Sequence, residues 1–129
     1  MTSRLATCAC GQLRVECSGE PVLVSLCHCL ACQQRTGSAF GVAAFFPREG
    51  VEINGETTRY ERSSDNGFAV TFHFCPRCGS TVLWEPSRKP DVIAVAVGCF
   101  GDRTFPAPTK EVYVERRHHW LGPIASGSR

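Results

Sequence analysis

Apolar and polar residues alternate with a two-residue period along much of this chain, the mark of strands with one buried face. Leu13, Val15 and Cys17 interleave with Arg14 and Glu16, and Val22, Val24 and Leu26 repeat the pattern before delivering the chain into Cys27. Further apolar or β-branched runs occupy residues 39–46, 68–74, 81–84, 92–97 and 112–114. Turn formers separate them: Asn54-Gly55, Asp65-Asn66-Gly67, Pro86 with Pro90, and Pro106 with Pro108. No segment keeps a 3.6-residue period for three turns. One helical turn is expected over residues 30–34, ended by Gly37. The reading is an all-β domain of short strands, in which metal replaces part of the core that small sheets lack.

At 129 residues the chain suits one domain with a modest core. Residues 1–124 are assigned to it, and residues 125–129, small and polar, to a frayed tail. There is no internal repeat or low-complexity linker. The 14 basic and 12 acidic residues give a net charge of +2 and are dispersed, which speaks against a nucleic-acid footprint. Arg116, Arg117, His118 and His119 make one local cationic cluster, read as a solvated strand end. The N-terminus has no apolar h-region, and the longest apolar run, residues 92–97, is far too short to cross a bilayer. Neither a secretory signal nor a membrane span is therefore expected, and the compartment is read as cytoplasmic.

That compartment changes how the nine cysteines are read. Without export, thiolates and metal are favoured over a disulfide framework, which the odd count also fits badly. Seven cysteines fall into three groups: Cys8-x-Cys10, Cys27-x-Cys29-x-x-Cys32 and Cys75-x-x-Cys78 with Gly79 after it. A structural zinc takes four soft ligands in a tetrahedron, and a catalytic one takes three and keeps a position open. The two pairs sum to a four-thiolate site, tying the N-terminal segment to the middle of the chain. The triplet remains as a three-thiolate site. Thiolate-only ligation favours zinc over magnesium, calcium or manganese.

The other candidate ligands read differently. His28, between two ligands on an extended segment, points the other way. Cys17 shares the apolar face of Leu13 and Val15 and is read as core. Cys99 follows a buried strand and is also read as core, although it could approach the second metal. His73 alternates with Phe72 and Phe74, which suits a supporting or surface role.

Taken in order, these motifs resemble the glutathione-dependent formaldehyde-activating enzyme family, small zinc proteins with a β-tent fold of antiparallel strands. The resemblance runs over nearly the whole chain: Cys8-x-Cys10-Gly11, Cys27-His28-Cys29-x-x-Cys32, Thr36-Gly37-Ser38-Ala39-Phe40, Phe74-Cys75-x-x-Cys78-Gly79-Ser80, then Arg117 and Trp120. It implies two zinc ions, a structural one on Cys8, Cys10, Cys75 and Cys78 and a catalytic one on Cys27, Cys29 and Cys32. It also implies the condensation of glutathione with formaldehyde, the work of a carbon–sulfur lyase written in reverse, with a small thiol and an aldehyde as partners.

An open zinc position can hold a thiol as thiolate or polarise a carbonyl. Three thiolates already make the site negative and blunt its acidity, which favours gathering the thiol. Glutathione carries two carboxylates, so cations are expected near the mouth. Arg35, three residues past the last ligand, is the first candidate, with Lys89 and Arg103 in turn regions behind it. Phe40 and Trp120 are read as an apolar wall or as core. Two other function classes compete: a non-catalytic zinc-dependent glutathione or thiol carrier, and a zinc-ribbon-like nucleic-acid binder, which dispersed charge disfavours.

Overall fold

The computed structural model describes residues 2–63 and 67–125. Among the described residues ten strands form two sheets. The smaller has the order β1–β2–β5, with β1 Ser3–Thr7, β2 Arg14–Ser18 and β5 Val51–Asn54. The larger runs β10–β3–β4–β9–β8–β7–β6. Its members are β3 Leu23–Cys27, β4 Gly41–Pro47, β6 Thr58–Ser63, β7 Ala69–Phe74, β8 Thr81–Pro86, β9 Val92–Ala96 and β10 Lys110–Val112. Every neighbouring pair is antiparallel except β10 on β3. The protein is all-β with one short helix, α1 Leu30–Thr36.

The alternation seen in the sequence decides which side faces inward. Ala6, Val15 and Cys17 of the small sheet meet Val24, Ala44, Phe46, Val82, Ile93 and Val95 of the large one in a single core. Cys8 and Cys75 belong to that core, so the four-cysteine group lies where the two sheets lean together. The central strands β8 and β9 are buried on both faces, which is why they read as continuous apolar runs and not as alternating ones. Their other face carries a second cluster of Ala43, Phe72, Trp84 and Ala94.

Several expectations need correction. The strand expected over residues 112–114 ends at Val112, because Tyr113 turns into the left-handed region (φ 54°) and a 3-10 turn, Val114–Arg116, follows. The cationic cluster is accordingly not a strand end: Arg117 folds back to within 3.3 Å of buried Glu111. Val22 lies outside β3 and is 62% exposed. Ala125, assigned to the frayed tail, is buried, and its N–H donates to Glu111 Oε1 at 3.0 Å; residues 126–129 lie outside the described part. Three strands went unread, β1, β5 and β6.

Candidate metal centres

The first centre grows from two tight turns. Cys8 leaves β1, and Gly11, with φ +86°, turns the chain so that Cys8 N–H donates to Leu13 O at 3.0 Å. In the second turn Gly79 takes φ +79°, with its N–H on Cys75 O (2.8 Å) and Cys75 N–H on Ser80 O (2.9 Å). A left-handed residue is needed at such a turn, and glycine takes it without steric cost. The turns face each other and bring the Sγ atoms of Cys8, Cys10, Cys75 and Cys78 within 4.8 Å of one another. The Cys8–Cys10 and Cys10–Cys75 sulfur separations are 3.6 and 3.7 Å. Four sulfurs about 2.3 Å from one zinc stand about 3.8 Å apart along each tetrahedral edge, so the donor set fits that ion.

Donors surround this cluster. Leu13 N–H points at Cys8 Sγ (3.3 Å), and Arg77 N–H at Cys75 Sγ (3.3 Å). Gln12 donates to Cys75 Sγ (3.1 Å) and Glu56 O (2.7 Å), while its Oε1 accepts from Glu56 N–H (2.9 Å). Ser80, 3.3 Å from Cys78, lowers that exposed thiol to about 5 through its hydroxyl and backbone N–H. Thiolates packed this closely repel one another, and each N–H···S contact removes part of that cost.

The second centre lies at the end of β3. Cys27 stands in register between Val112 of β10 and Gly41 of β4. Cys29 is the N-cap of α1, its sulfur accepting from Cys32 N–H at 3.3 Å. Gly37 closes the helix in the left-handed conformation, φ 67°; the expected turn therefore exists and extends to Thr36. The three Sγ atoms again lie within 4.8 Å of one another, a group of three where the first has four among the described residues. All three cysteines are half-buried. Hydrogen bonds from the Cys27 and Cys32 thiols, then Cys32 N–H and the Arg62 charge, lower the pKa of Cys29. Cys27, hydrogen-bonded to it, is pushed upward. A soft three-sulfur set of this kind also suits zinc.

An open cavity of about 480 Å³ borders this triplet, walled by Leu30, Gln34, Arg62, Tyr113 and Arg116. At the first centre Cys8 and Cys75 are buried, and Cys10 and Cys78 are exposed.

His28 does point away from the sulfurs. It is fully buried, with Nε2 2.6 Å from Glu111 Oε2, and packs edge-on against Phe40 at 5.9 Å. Glu111, also fully buried, accepts from Ile124 and Ala125 N–H at 3.0 Å on its other oxygen. Burial works to raise its pKa, but His28, the two N–H groups and Arg117 outweigh it and hold the carboxyl at about 2. This clamp was missed. Its one signal is a lone acid in the apolar stretch Val112–Val114 and its approach.

Cys17 is core, its thiol pushed up to about 12 by burial and by Glu16. Cys99 packs against the core with Sγ 3.9 Å from Thr81 O, and burial raises its pKa. His73, on β7, lies 2.7 Å from Glu85, which also takes Arg48 at 2.9 Å. Arg35 stacks on Trp84 with its guanidinium 4.1 Å from the ring centroid. Lys89 sits over Phe45, in a different cavity, and Arg103 is exposed in a turn; neither they nor Arg35, which lines the adjoining cavity, line the opening beside the triplet. Trp120 is neither core nor wall: it is 63% exposed, with His118 beside it at 5.3 Å.

No helix among the described residues is long and apolar enough to cross a membrane. Among curated proteins none matches the chain. A crystal structure of a Rhodobacter sphaeroides protein, solved as a structural genomics target, superposes with a TM-score of 0.58 at 21% identity. The match covers 74% of this chain and 85% of that one, a likeness of fold. The family profile for the glutathione-dependent formaldehyde-activating enzyme matches residues 3–116. The chain belongs to that family.

Proposed function

We propose that the protein is a zinc-dependent carbon–sulfur lyase that reversibly adds a thiol, glutathione in the first instance, to formaldehyde or a related small carbonyl. The observation that carries this reading is the contrast in ligand number and setting: three cysteines gathered at the edge of an open cavity, beside four of which Cys8 and Cys75 are buried in the core. Cys8, Cys10, Cys75 and Cys78 would hold a structural zinc, and Cys27, Cys29 and Cys32 a catalytic one. When bound to the triplet, zinc supplies a positive charge that favours the thiolate form of an incoming thiol at neutral pH.

The chain's own residues do the rest. The N-cap geometry of Cys29 and the strand register of Cys27 fix two of the three sulfurs. Gln34 and Leu30 border the opening, and Arg35 meets a substrate carboxylate. In the addition a carbon–sulfur bond forms, the carbonyl π bond breaks, and the thiol proton ends on the carbonyl oxygen. In the reverse direction the same proton leaves with the thiol. The protein is placed in the cytoplasm, where reduced cysteines and a glutathione pool coexist.

The test is the exchange rate between formaldehyde and the hydroxymethyl group of S-hydroxymethylglutathione, followed by NMR with and without the zinc-loaded protein. Acceleration that disappears in Cys29→Ser is the expected result. No acceleration at stoichiometric protein would overturn the lyase reading, and tight glutathione binding without acceleration would replace it with that of a thiol carrier.

A further inference from the structure

The larger sheet is curled. Lys110 of β10 and Val70 of β7 line one cavity of about 340 Å³, although four strands stand between β10 and β7 in the sheet order. Laid flat, five strand spacings would set them about 24 Å apart, far more than a cavity of that volume spans. The cavity therefore occupies the concave side. Phe45 and Val70, packed against the second apolar cluster, give it an apolar floor together with Ala69 and Pro86. Phe68 and Tyr113 also border it.

Its remaining lining is cationic. Arg88 and Lys89 come from the turn between β8 and β9, and Lys110 opens β10. Backbone hydrogen bonds fix that turn: Ser87 N–H donates to Ala69 O at 2.9 Å, and Lys89 N–H to Pro86 O at 3.0 Å. The Arg88 guanidinium stands 5.7 Å from the Phe68 centroid, and Lys89 Nζ 5.6 Å from that of Phe45. No acidic side chain among the described residues lines the cavity, whereas Glu115 accompanies Arg62 and Arg116 beside the triplet. The acids nearest in sequence on β8 and β10 are engaged elsewhere, Glu85 with His73 and Arg48, and Glu111 with His28. Three like charges around one small opening repel one another, and contact with ring faces offsets only part of that cost. An anion seated among them turns the repulsion into attraction.

We propose that this cavity binds a small aromatic phosphomonoester, its ring against Phe45 and Phe68 and its phosphate among Arg88, Lys89 and Lys110. Charge selects phosphate over carboxylate: a phosphomonoester carries about −1.5 to −2 at pH 7, a better match to three cations than a single charge. Arg88 brings a planar fork of donors, and the two lysines bring compact point charges. Volume limits the rest of the ligand. The cavity lies at the low end of the range for small-molecule sites, about 300–1,000 Å³, with room for one ring system and one phosphate. No cysteine lines it, so the site is separate from both metal centres, and Tyr113 borders it and the triplet cavity alike.

The experiment is a calorimetric titration of the zinc-loaded protein with phenyl phosphate, and with inorganic phosphate and benzoate as partial ligands. Phenyl phosphate should bind. Inorganic phosphate, without the ring, and benzoate, without the second charge, should each bind at least about tenfold more weakly. Lys89→Gln and Lys110→Gln should each weaken phenyl phosphate about tenfold while leaving the melting temperature unchanged. Arg59→Gln, which removes a charge from β6 outside the cavity, should bind like wild type. No binding to wild type, equal affinity for phenyl phosphate and either partial ligand, undiminished affinity in either lysine variant, or an equal loss in Arg59→Gln would each overturn the proposal. Binding there requires neither thiol nor formaldehyde, so these outcomes are independent of the lyase reading.

Discussion

The two cysteine clusters use the same atoms for opposite ends. The four-cysteine cluster has two members in the core shared by both sheets, and its sulfurs receive donors from Leu13, Arg77, Gln12 and Ser80. The triplet is half-buried, takes Cys32 N–H on the Cys29 sulfur, and borders a cavity. One offers four sulfurs, a full tetrahedral set, and the other three, which leave a position open beside a cavity. Their settings differ too: two facing turns anchor the first through buried Cys8 and Cys75, and a strand end followed by a short helix carries the second.

The largest effect expected from breaking this contrast is at the core cluster. Structural zinc contributes on the order of 10 kcal/mol, comparable to the entire stability of a domain of this size. Cys75→Ser should therefore abolish cooperative unfolding as followed by circular dichroism, whereas a triplet substitution should not. A native-like melt of zinc-loaded Cys75→Ser would place the structural burden elsewhere.

Next in size is the Glu111 clamp beneath the triplet. Removing one member of a buried ionic network costs about 3 kcal/mol or more, so Glu111→Ala should lower the melting temperature markedly at pH 7. The pH dependence has a definite sign. The carboxyl titrates at about 2 in the folded chain against 4.5 ordinarily, so between those values the unfolded form binds more protons. The stabilisation is full above pH 4.5 and fades as pH falls towards 2. The gap between wild type and Glu111→Ala should narrow over that window, and a gap that widens on acidification would contradict the clamp.

Gln12 sharpens the comparison from the other side, because its amide links a cluster sulfur to the turn at Glu56. Gln12→Ala should cost about 1–2 kcal/mol of stability in denaturant titration without touching activity. The smallest change is expected at Gly41, where an added Cβ would come within 2.7 Å of Arg35 Nη2. The guanidinium is a flexible tip, so Gly41→Ala should leave the melting temperature nearly unchanged and weaken binding of S-methylglutathione a few-fold, measurable by calorimetry. Unchanged affinity would show that the position of Arg35 is unimportant.

The sequence carried the clusters because ligand spacing is local, and it carried β2, β3, β4, β7, β8 and β9 because burial imprints apolar alternation, or a continuous apolar run, on the strands that form the core. It did not carry β6. Thr58-Arg59-Tyr60-Glu61-Arg62-Ser63 is an edge strand, exposed along most of its length, so nothing selects for alternation and charge protects the edge. That is also why Arg62 escaped notice while Arg35, close in sequence to a ligand, did not. Glu111 was hidden for a related reason: the parallel pairing of β10 with β3, a non-local contact, brings it to His28, and Ile124 and Ala125 reach it from outside both strands. Trp120 shows the converse, a large aromatic that composition would bury and the fold leaves out.

The most direct test of the division between the two clusters is the zinc content and fold of Cys29→Ser, measured by elemental analysis and near-ultraviolet circular dichroism. The account predicts that this variant loses the triplet metal, keeps the one held by Cys8, Cys10, Cys75 and Cys78, and retains the wild-type spectrum. Loss of both metals together with the spectrum would mean that the clusters are one cooperative unit, and the division of labour would be wrong.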